Sequence, residues 1–289
     1  MINCGEQKLR LETKDAFNYS GFASLEDLES QEWQELFKQL EKIQEEFLSH
    51  EQNFRSPEYI WIRDPLHNWS RVWEYPYVLY HLRKWRRTLG AGQNPAIIDF
   101  GSGVTFFPFA IAQEGFKVVA MDIDPICEKD FQRASQMVSA SPGSVEFILS
   151  QEKSIPLQNN AVSAIYCISV LEHVADLPAT ISEIARVLEP KGLLILTVDL
   201  SLNGYHQLAP KGYQIFRKSL DQFFELRISE KTNHPCFYLL NTNGPFPMPQ
   251  PKGMKKLRHL YQKVVRRIIY RLKEEPFSLA CQGFVLSKK

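Results

Sequence analysis

Cysteine is scarce and scattered in this sequence of 289 residues. No two cysteines form a C-x-x-C pair, and their spacing gives no paired framework. Zinc sites and disulfide scaffolds both need such spacing, so we expect no metal site and a reducing compartment. The five cysteines are Cys4, Cys127, Cys167, Cys236 and Cys281.

A dominant charge and a long apolar run are also missing. The 34 Lys and Arg residues nearly balance the 33 Asp and Glu residues, which gives a net charge of +1. We therefore expect no nucleic-acid partner, because no bulk field attracts one. No apolar run approaches the ~20 residues of a membrane span, and no apolar signal segment follows Met1. These absences predict a cytoplasmic protein, and its 44% hydrophobic content is ample for a globular core.

The stretch 94–125 begins like a nucleotide-binding βαβ unit. The apolar run 96–98 predicts a buried strand that ends at Asp99. Gly101 and Gly103 then predict a turn that a ligand can approach closely, because neither residue carries a side chain.

The second half of this unit predicts a ribose site. A helix over about 106–113 and a second buried strand over 116–121 follow the turn, and Asp122 ends that strand. An acid ~20 residues past the glycines is placed to bind a ribose diol. Asp122 and the adjacent Ile123 are therefore predicted to contact the cofactor, in a parallel α/β domain.

The glycine pattern distinguishes two cofactors. A dinucleotide fold needs a third glycine for close packing, and Phe106 occupies that position here. Asp99 would repel a pyrophosphate but would suit a cationic amino group. Ribose, adenine and an ammonium group together describe S-adenosylmethionine, and NAD remains the less favoured alternative.

The rest of the chain continues the strand and helix alternation. Side chains that follow the third strand face the ligand crevice, so Gln151 and Glu152 are candidates for the adenine contact. Helices are predicted over about 125–140 and over 212–223. A further helix contains the apolar face from Ile181 to Leu188 and ends near Pro190. Further strands are predicted over 145–149, 161–168, 193–198, 224–229 and 277–286.

Two segments resemble class I S-adenosylmethionine-dependent methyltransferases that act mostly on small molecules. They are I-I-D-F-G-S-G at 97–103 and V-L-E-H-V…E-I-A-R-V-L-E-P-K-G-L-L-I-L-T-V over 170–198. The resemblance covers roughly residues 95–200. It implies a Rossmann-like seven-stranded sheet of order 3-2-1-4-5-7-6 and S-adenosylmethionine as the cofactor. The sequence departs from the family pattern at Thr105, Gln151, Ser163 and Lys191, and none of these changes removes a group that methyl transfer needs.

The resemblance also implies that a helix before the first strand covers the cofactor. Pro76 predicts the first turn of a helix that reaches about Leu89. The segment 69–76 would then lie at the mouth of the site, with Arg71 binding the methionine carboxylate, Glu74 holding Arg71, and Trp73 facing the substrate. The alternative is a Trp-rich core contact between this cap and the domain.

The N-terminal segment 1–92 is predicted to be a helical, aromatic cap. Ser24 and Asp27 resemble a capping box that opens a helix reaching Ser49. An apolar stripe from Trp33 to Phe47 favours packing on the protein's own body over a coiled coil, and the acidic residues from Glu26 onward favour a solvated face.

The methyltransferase domain is predicted over 93–233 and 276–289, with 234–275 as a helical insertion between the last two strands. A proline-rich loop there precedes a basic amphipathic helix over 253–273. This helix either docks on its own domain, which we favour, or contacts an anionic membrane surface peripherally.

Methyl transfer from a sulfonium depends mainly on alignment, and a base is needed only for an alcohol or a protonated amine. His173 is the first candidate base, with His67, His206 and Asp199 as weaker ones; Tyr205 and His206 are candidates for the substrate site. We predict methylation, most plausibly at oxygen, of a small molecule or a glycan- or lipid-linked acceptor. The alternatives are a non-catalytic S-adenosylmethionine-binding scaffold and a NAD-dependent oxidoreductase.

Overall fold

The computed structural model describes residues 16–90, 92–151, 154–202, 208–231, 239–242, 244–246 and 279–289. Within this part, one mixed sheet lies between two layers of helices. Its strands are β1 (Ser20–Phe22), β2 (Ala96–Phe100), β3 (Lys117–Asp122), β4 (Ser144–Leu149), β5 (Val162–Ile168), β6 (Leu188–Ser201), β7 (Phe224–Leu226), β8 (Glu230–Lys231) and β9 (Leu279–Lys288). The helices are α1 (Gln31–Ser49), α2 (Glu51–Phe54), α3 (Arg71–Arg86), α4 (Phe107–Gln113), α5 (Pro125–Ala134), α6 (Leu177–Val187) and α7 (Pro210–Phe223).

The strand order confirms the predicted Rossmann-like sheet. Strands β4, β3, β2, β5 and β6 run parallel in that order, and β9 then pairs antiparallel with β6. Because β7 pairs antiparallel with β9, these seven strands have the expected 3-2-1-4-5-7-6 order. The carboxyl ends of β2, β3, β5 and β6 therefore meet at one edge of the sheet, where ligands bind in open α/β folds.

Two short strands extend this sheet beyond the prediction. The N-terminal β1 pairs antiparallel with β9 through Gly21 and Gly283, and β8 pairs parallel with β1. The outer edge of β9 is thus shared, with β7 at its carboxyl end and β1 nearer its middle.

Several predicted boundaries were wrong. Strand β6 begins at Leu188 rather than at 193, because α6 ends at Val187 and the chain becomes extended at once. The register against β5 shifts between Val162 and Ala164, and Lys191 takes a positive φ of 61° within the resulting bulge. Helix α5 ends at Ala134 instead of about 140, and β7 has only three residues.

The predicted start of the N-terminal helix was also wrong. The Ser24 amide donates to Asp27 Oδ2 and the Ser24 hydroxyl accepts from the amide of Glu26, but these hydrogen bonds open a 3₁₀ turn over Glu26–Glu29. The α-helix begins at Gln31, where the Ser30 side chain accepts a hydrogen bond from the amide of Trp33. Asp27 is buried instead of solvated, and its carboxylate accepts hydrogen bonds from Tyr19 and Trp73.

Helix α3 begins five residues before the predicted proline position. Pro76 lies inside this helix, where its ring removes the amide hydrogen that would normally bind the carbonyl of Val72. The indole N–H of Trp33 donates to that carbonyl at 2.7 Å. A side chain from α1 therefore satisfies the acceptor that the proline leaves open, and the helix continues to Arg86.

The two faces of the sheet carry separate cores. Alternate strand residues face opposite ways: Ile97 packs with α3, α4 and the N-terminal helices, whereas Ile98 packs with α6 and α7. The buried stripe of α1 from Leu36 to Phe47 belongs to the first of these cores, as its spacing predicts. The N-terminal cap and the sheet thus share one core.

The predicted basic helix over 253–273 and most of the insertion 234–275 lie outside the described residues. Within the described part, we find no helix whose length and hydropathy would let it cross a bilayer.

Candidate active site

The glycine turn after β2 is shaped by close contacts that only glycine permits. Gly101 has a φ of 74°, and a Cβ atom at this position would lie 2.6 Å from a methyl group of Val170. The amides of Gly101 and Ser102 both donate to the carbonyl of Met121 at 2.9 Å. The turn is therefore held between the end of β3 and the loop after β5.

Asp99 lies at the end of β2 with its carboxyl group almost fully buried. Burial and the nearby Asp122 carboxylate raise the pKa of Asp99 to about 8, although a hydrogen bond from Tyr166 opposes the rise. No Lys or Arg side chain pairs with Asp99 among the described residues. A cationic ligand group would supply the missing charge, as the sequence predicts for an ammonium group.

Asp122 is held by three backbone amides. Its Oδ2 accepts from Gly103 at 2.9 Å, and its Oδ1 accepts from Ile123 and Asp124 at 2.8 and 3.1 Å. Burial raises the pKa of Asp122, and these three amides oppose the rise. Its side chain stays fixed beside the glycine turn, and Ile123 is 53% exposed next to it. We call Asp99, Gly101, Gly103 and Asp122 the cofactor edge.

A segment that the sequence analysis missed covers this turn. The Tyr59 hydroxyl accepts from the amide of Val104 at 3.2 Å, and Arg55 donates to the Val104 carbonyl at 3.0 Å. The guanidinium of Arg55 lies 4.0 Å from the centre of the Tyr59 ring. We predicted contact between this cap and the site at 69–76 and gave no role to residues 55 and 59.

The structure gives less support for the predicted adenine contacts. Gln151 is exposed and forms an isolated bridge with Ser154. Glu152 lies outside the described residues, so its role stays a prediction.

A buried ion pair from α3 contacts residues at the carboxyl ends of β5 and β6. Arg71 and Glu74 form it in the first turn of α3, as predicted, and Glu74 is fully buried. Ser169 donates to Glu74 at 2.6 Å and accepts from Arg71 at 2.8 Å, and Thr197 donates to Glu74 at 2.5 Å. Burial would raise the pKa of Glu74, but Arg71 and these hydroxyls hold it below its usual value.

Two more carboxyl groups lie beside this pair. Glu172 Oε1 accepts from the Asp199 amide at 3.0 Å, and its Oε2 is buried without a hydrogen-bond partner among the described residues. Burial raises the pKa of Glu172 to about 8. Burial and the Glu172 and Glu74 carboxylates raise the pKa of Asp199 well above its usual value. We call Arg71, Glu74, Ser169, Glu172 and Asp199 the acceptor edge.

Ser169 joins the two edges. Its φ of 48° is unusual for a residue with a side chain, and its neighbour Val170 packs against Gly101. The hydroxyl of Ser169 also lies 3.5 Å from Asp199 Oδ1. Ser169 begins the segment 169–174 that follows the fourth predicted strand and was expected at the mouth of the site, but it had no predicted role of its own.

The candidate base His173 ends the short 3₁₀ turn over Leu171–His173 and is exposed. Burial of part of its ring and the charge of Arg71 lower the pKa of His173, so its imidazole is neutral at pH 7. His67, by contrast, pairs with Asp64 and Glu41 beside α1, away from the strand ends.

The predicted substrate residues have different outcomes. Trp73 is fully buried, stacks on Tyr77 at 4.3 Å and donates to Asp27, so it forms the core contact of our alternative interpretation. Its ring offers no surface to an acceptor in this structure. Tyr205 and His206 lie outside the described residues.

Three ligand-type atoms of Glu74, Asp199 and Cys281 lie within 4.8 Å of one another. Such a group has the donors of a metal site, but Arg71 already neutralises Glu74 here. We therefore assign this cluster to the polar network of the acceptor edge.

The cofactor edge fits S-adenosylmethionine. Asp99 offers a carboxylate without a protein cation, Asp122 offers a fixed acceptor for a ribose diol, and Gly101 and Gly103 leave the approach open. The third glycine position of a dinucleotide site is filled by Phe106, which is fully buried and packs on Tyr75.

Comparison with known families agrees with this geometry. Residues 98–196 match the family model of a methyltransferase domain. The chain is 29% identical over 132 residues to an uncharacterized methyltransferase of Mycolicibacterium gilvum, which covers 45% of this chain and 50% of that protein. It is 26% identical over 114 residues to a malonyl-[acyl-carrier protein] O-methyltransferase of Serratia marcescens, covering 38% and 42%. The chain spans about half the length, or less, of the curated relatives it matches.

Among solved structures, the [4+2]-cyclase SpnF has a similar fold. The two chains share 14% sequence identity at a TM-score of 0.50, and the similarity covers 93% of this chain and 98% of SpnF. At this identity the likeness concerns the fold alone.

Proposed function

We propose that this chain, whose residues 98–196 belong to the class I S-adenosylmethionine-dependent methyltransferase family, transfers a methyl group to an oxygen atom of its acceptor. The acceptor is proposed to be a small molecule or a glycan- or lipid-linked molecule. The observation that carries the proposal is the cofactor edge, where Asp99 and Asp122 flank a glycine turn.

S-adenosylmethionine supplies an electrophilic methyl group when it is bound. Asp99 would hold its amino group, Asp122 its ribose, and Arg71 its carboxylate, as the resemblance implies. Since one bond breaks as another forms in line, the protein's contribution is alignment and exclusion of water. Tyr75, which is buried near Asp99 and stacks on Phe107 at 4.5 Å, adds apolar surface that would help to exclude water.

Oxygen is the favoured acceptor atom because His173, beside the acceptor edge, and Glu172 within it can each take up a proton. A hydroxyl group must lose its proton as the new oxygen–carbon bond forms, and neutral His173 is the proposed base. Glu172, with its pKa near 8, is a second group that changes charge close to neutral pH. The O-methyltransferase of Serratia marcescens among the relatives supports the same atom.

The test is product formation with the purified chain. We expect S-adenosylhomocysteine to accumulate when S-adenosylmethionine is supplied with a panel of phenols, sugar hydroxyls and acyl carboxylates. Release of that product with amines alone would overturn the choice of oxygen. Tight binding of S-adenosylmethionine without product from any acceptor class would favour the scaffold alternative.

A further inference from the structure

Large apolar side chains are exposed around the carboxyl end of β3. Trp61 is 55% exposed between Ile60 and Ile62, which are also exposed. Ile123 follows the strand directly and is 53% exposed, and Leu149 is 38% exposed. Leu149 pairs with Asp122 in the sheet, so it lies beside the predicted ribose contact. Exposed apolar surface of this kind is usually covered by a ligand or a partner.

Trp61 is fixed at this place by its polar edge. Its indole N–H donates to Asp124 Oδ2 at 3.4 Å, and Asp124 Oδ1 caps α5 by accepting from Ile126 at 2.9 Å. Tyr59 anchors the same segment on Val104, and Ser56 bonds to Asp130 on α5. The indole is therefore hydrogen-bonded to a residue only two positions after Asp122, yet Trp61 remains 55% exposed to solvent.

The chemistry of this surface suits a purine. If Asp122 binds the ribose, the base extends past the end of β3, toward Ile123 and the indole held by Asp124. A purine presents an apolar π-face that stacks on aromatic rings, and such a contact changes affinity by about 5- to 150-fold. Gln151, the predicted adenine contact, is exposed and offers an amide but no ring.

We propose that Trp61 is a cofactor-binding residue that stacks on the adenine, with Ile123 and Leu149 completing an apolar surface around it. This inference rests on the proposed function and adds a contact from outside the matched domain, since residue 61 precedes residues 98–196. The N-terminal segment then binds the cofactor directly in addition to supporting the sheet.

Calorimetric titration of the full chain with S-adenosylhomocysteine, and separately with adenosine, tests this inference. Trp61→Ala should lower the affinity for both ligands by about tenfold or more, because both contain the purine. Trp61→Phe should retain most of the affinity. Ile215→Ala is the matched control, since Ile215 is 51% exposed on α7 and should leave both affinities unchanged.

Fluorescence gives a second readout. Trp69, Trp73 and Trp85 are buried, and the partly buried Trp33 stacks on Phe37 and donates to the Val72 carbonyl. Trp61 should therefore account for most of any quenching by S-adenosylhomocysteine. Trp61→Phe should remove that quenching while binding persists.

The outcomes separate this inference from the proposed function. If the wild-type chain binds S-adenosylhomocysteine and the affinity of Trp61→Ala is within twofold of the wild-type affinity, only the role of Trp61 is overturned. Failure of the wild-type chain to bind S-adenosylhomocysteine overturns the proposed function and this inference with it. If Trp61→Ala binds normally but loses sedimentation with phosphatidylglycerol vesicles, the exposed surface contacts lipid and the inference is wrong.

Discussion

The cofactor edge and the acceptor edge both contain buried carboxyl groups, but they neutralise them differently. At the cofactor edge, Asp122 accepts from backbone amides and Asp99 from the Tyr166 hydroxyl, and no Lys or Arg pairs with either carboxyl group among the described residues. At the acceptor edge, Arg71 neutralises Glu74 within the fold, and two further carboxyl groups have raised pKa values. We therefore expect a ligand to complete the charge balance of the first edge, whereas the second contains its own cation in Arg71.

The comparison predicts its largest effect at Glu74. Replacing Glu74 with Leu leaves the Arg71 guanidinium buried and unpaired, which should lower the free energy of unfolding by about 3–5 kcal/mol. Urea denaturation measures this difference.

Two controls accompany that measurement. Glu183→Gln breaks a more exposed pair with Arg186 and should cost less than about 1 kcal/mol. The double variant Glu74→Leu with Arg71→Met should recover part of the loss, because no lone charge remains. A cost at Glu74 no larger than that at Glu183 would contradict the internal charge balance.

The next effect concerns the base. His173→Gln should lower kcat/KM by about a hundredfold with the acceptor that gives turnover, since proton removal would lack its acceptor. The pKa of His173 lies below its usual value, and the base must be unprotonated to act. Wild-type kcat/KM should therefore increase with pH up to about pH 6.5 and stay constant above about pH 7. His67→Gln should leave the profile unchanged, as His67 lies beside α1. If the wild-type kcat/KM continues to increase up to pH 8, Glu172 and not His173 is the group that accepts the proton.

A third, smaller effect should appear at Asp99. Its folded pKa of about 8 lies above the usual value near 3.9, so the free energy of unfolding decreases as pH rises through this window. Asp99→Asn removes the titrating group and should stabilise the ligand-free protein at pH 8, and much less at pH 4.

The same substitution should abolish binding of S-adenosylmethionine, because the ammonium group loses its carboxylate. Thermal melts at both pH values and calorimetry measure the two effects. A variant that is less stable than wild type at pH 8 would show that Asp99 is balanced within the fold, like Glu74.

The smallest effect tests how α3 presents the acceptor edge. Trp33→Phe removes the N–H that binds the Val72 carbonyl and should cost about 1 kcal/mol of unfolding free energy. In a Pro76→Ala background the same change should cost less, because alanine supplies the missing amide hydrogen. Equal costs in both backgrounds, measured by urea denaturation, would show that the Trp33 hydrogen bond does not compensate for Pro76.

The sheet and the cofactor edge were predictable because their signals are local. Asp99, the two glycines and Asp122 lie within one βαβ unit, and parallel strands bring their ends together in every such sheet. The boundaries of β6 and α3 were not, since a bulge at Lys191 and an indole from α1 override the local meaning of Pro190 and Pro76.

The acceptor edge was harder to predict because it is assembled from distant segments. Glu74 contacts Ser169, Thr197 and Cys281, which lie about 100 to 200 positions later in the chain. No spacing rule connects these residues, and a buried Glu cannot be recognised from its neighbours alone. Trp73, which lies between Arg71 and Glu74 in the sequence, was assigned to the site although its side chain faces the core.

The outer edge of β9 has a consequence for engineering the chain. Three residues near the amino terminus, Ser20–Phe22, satisfy backbone groups of a strand that begins at Leu279. Removing all residues before residue 30, so as to keep only the matched domain and its helices, would take away the partners of those groups. The edge of β9 would then expose unpaired backbone amides and carbonyls. Such a shortened protein is expected to self-associate, and any affinity tag at the front should leave β1 intact.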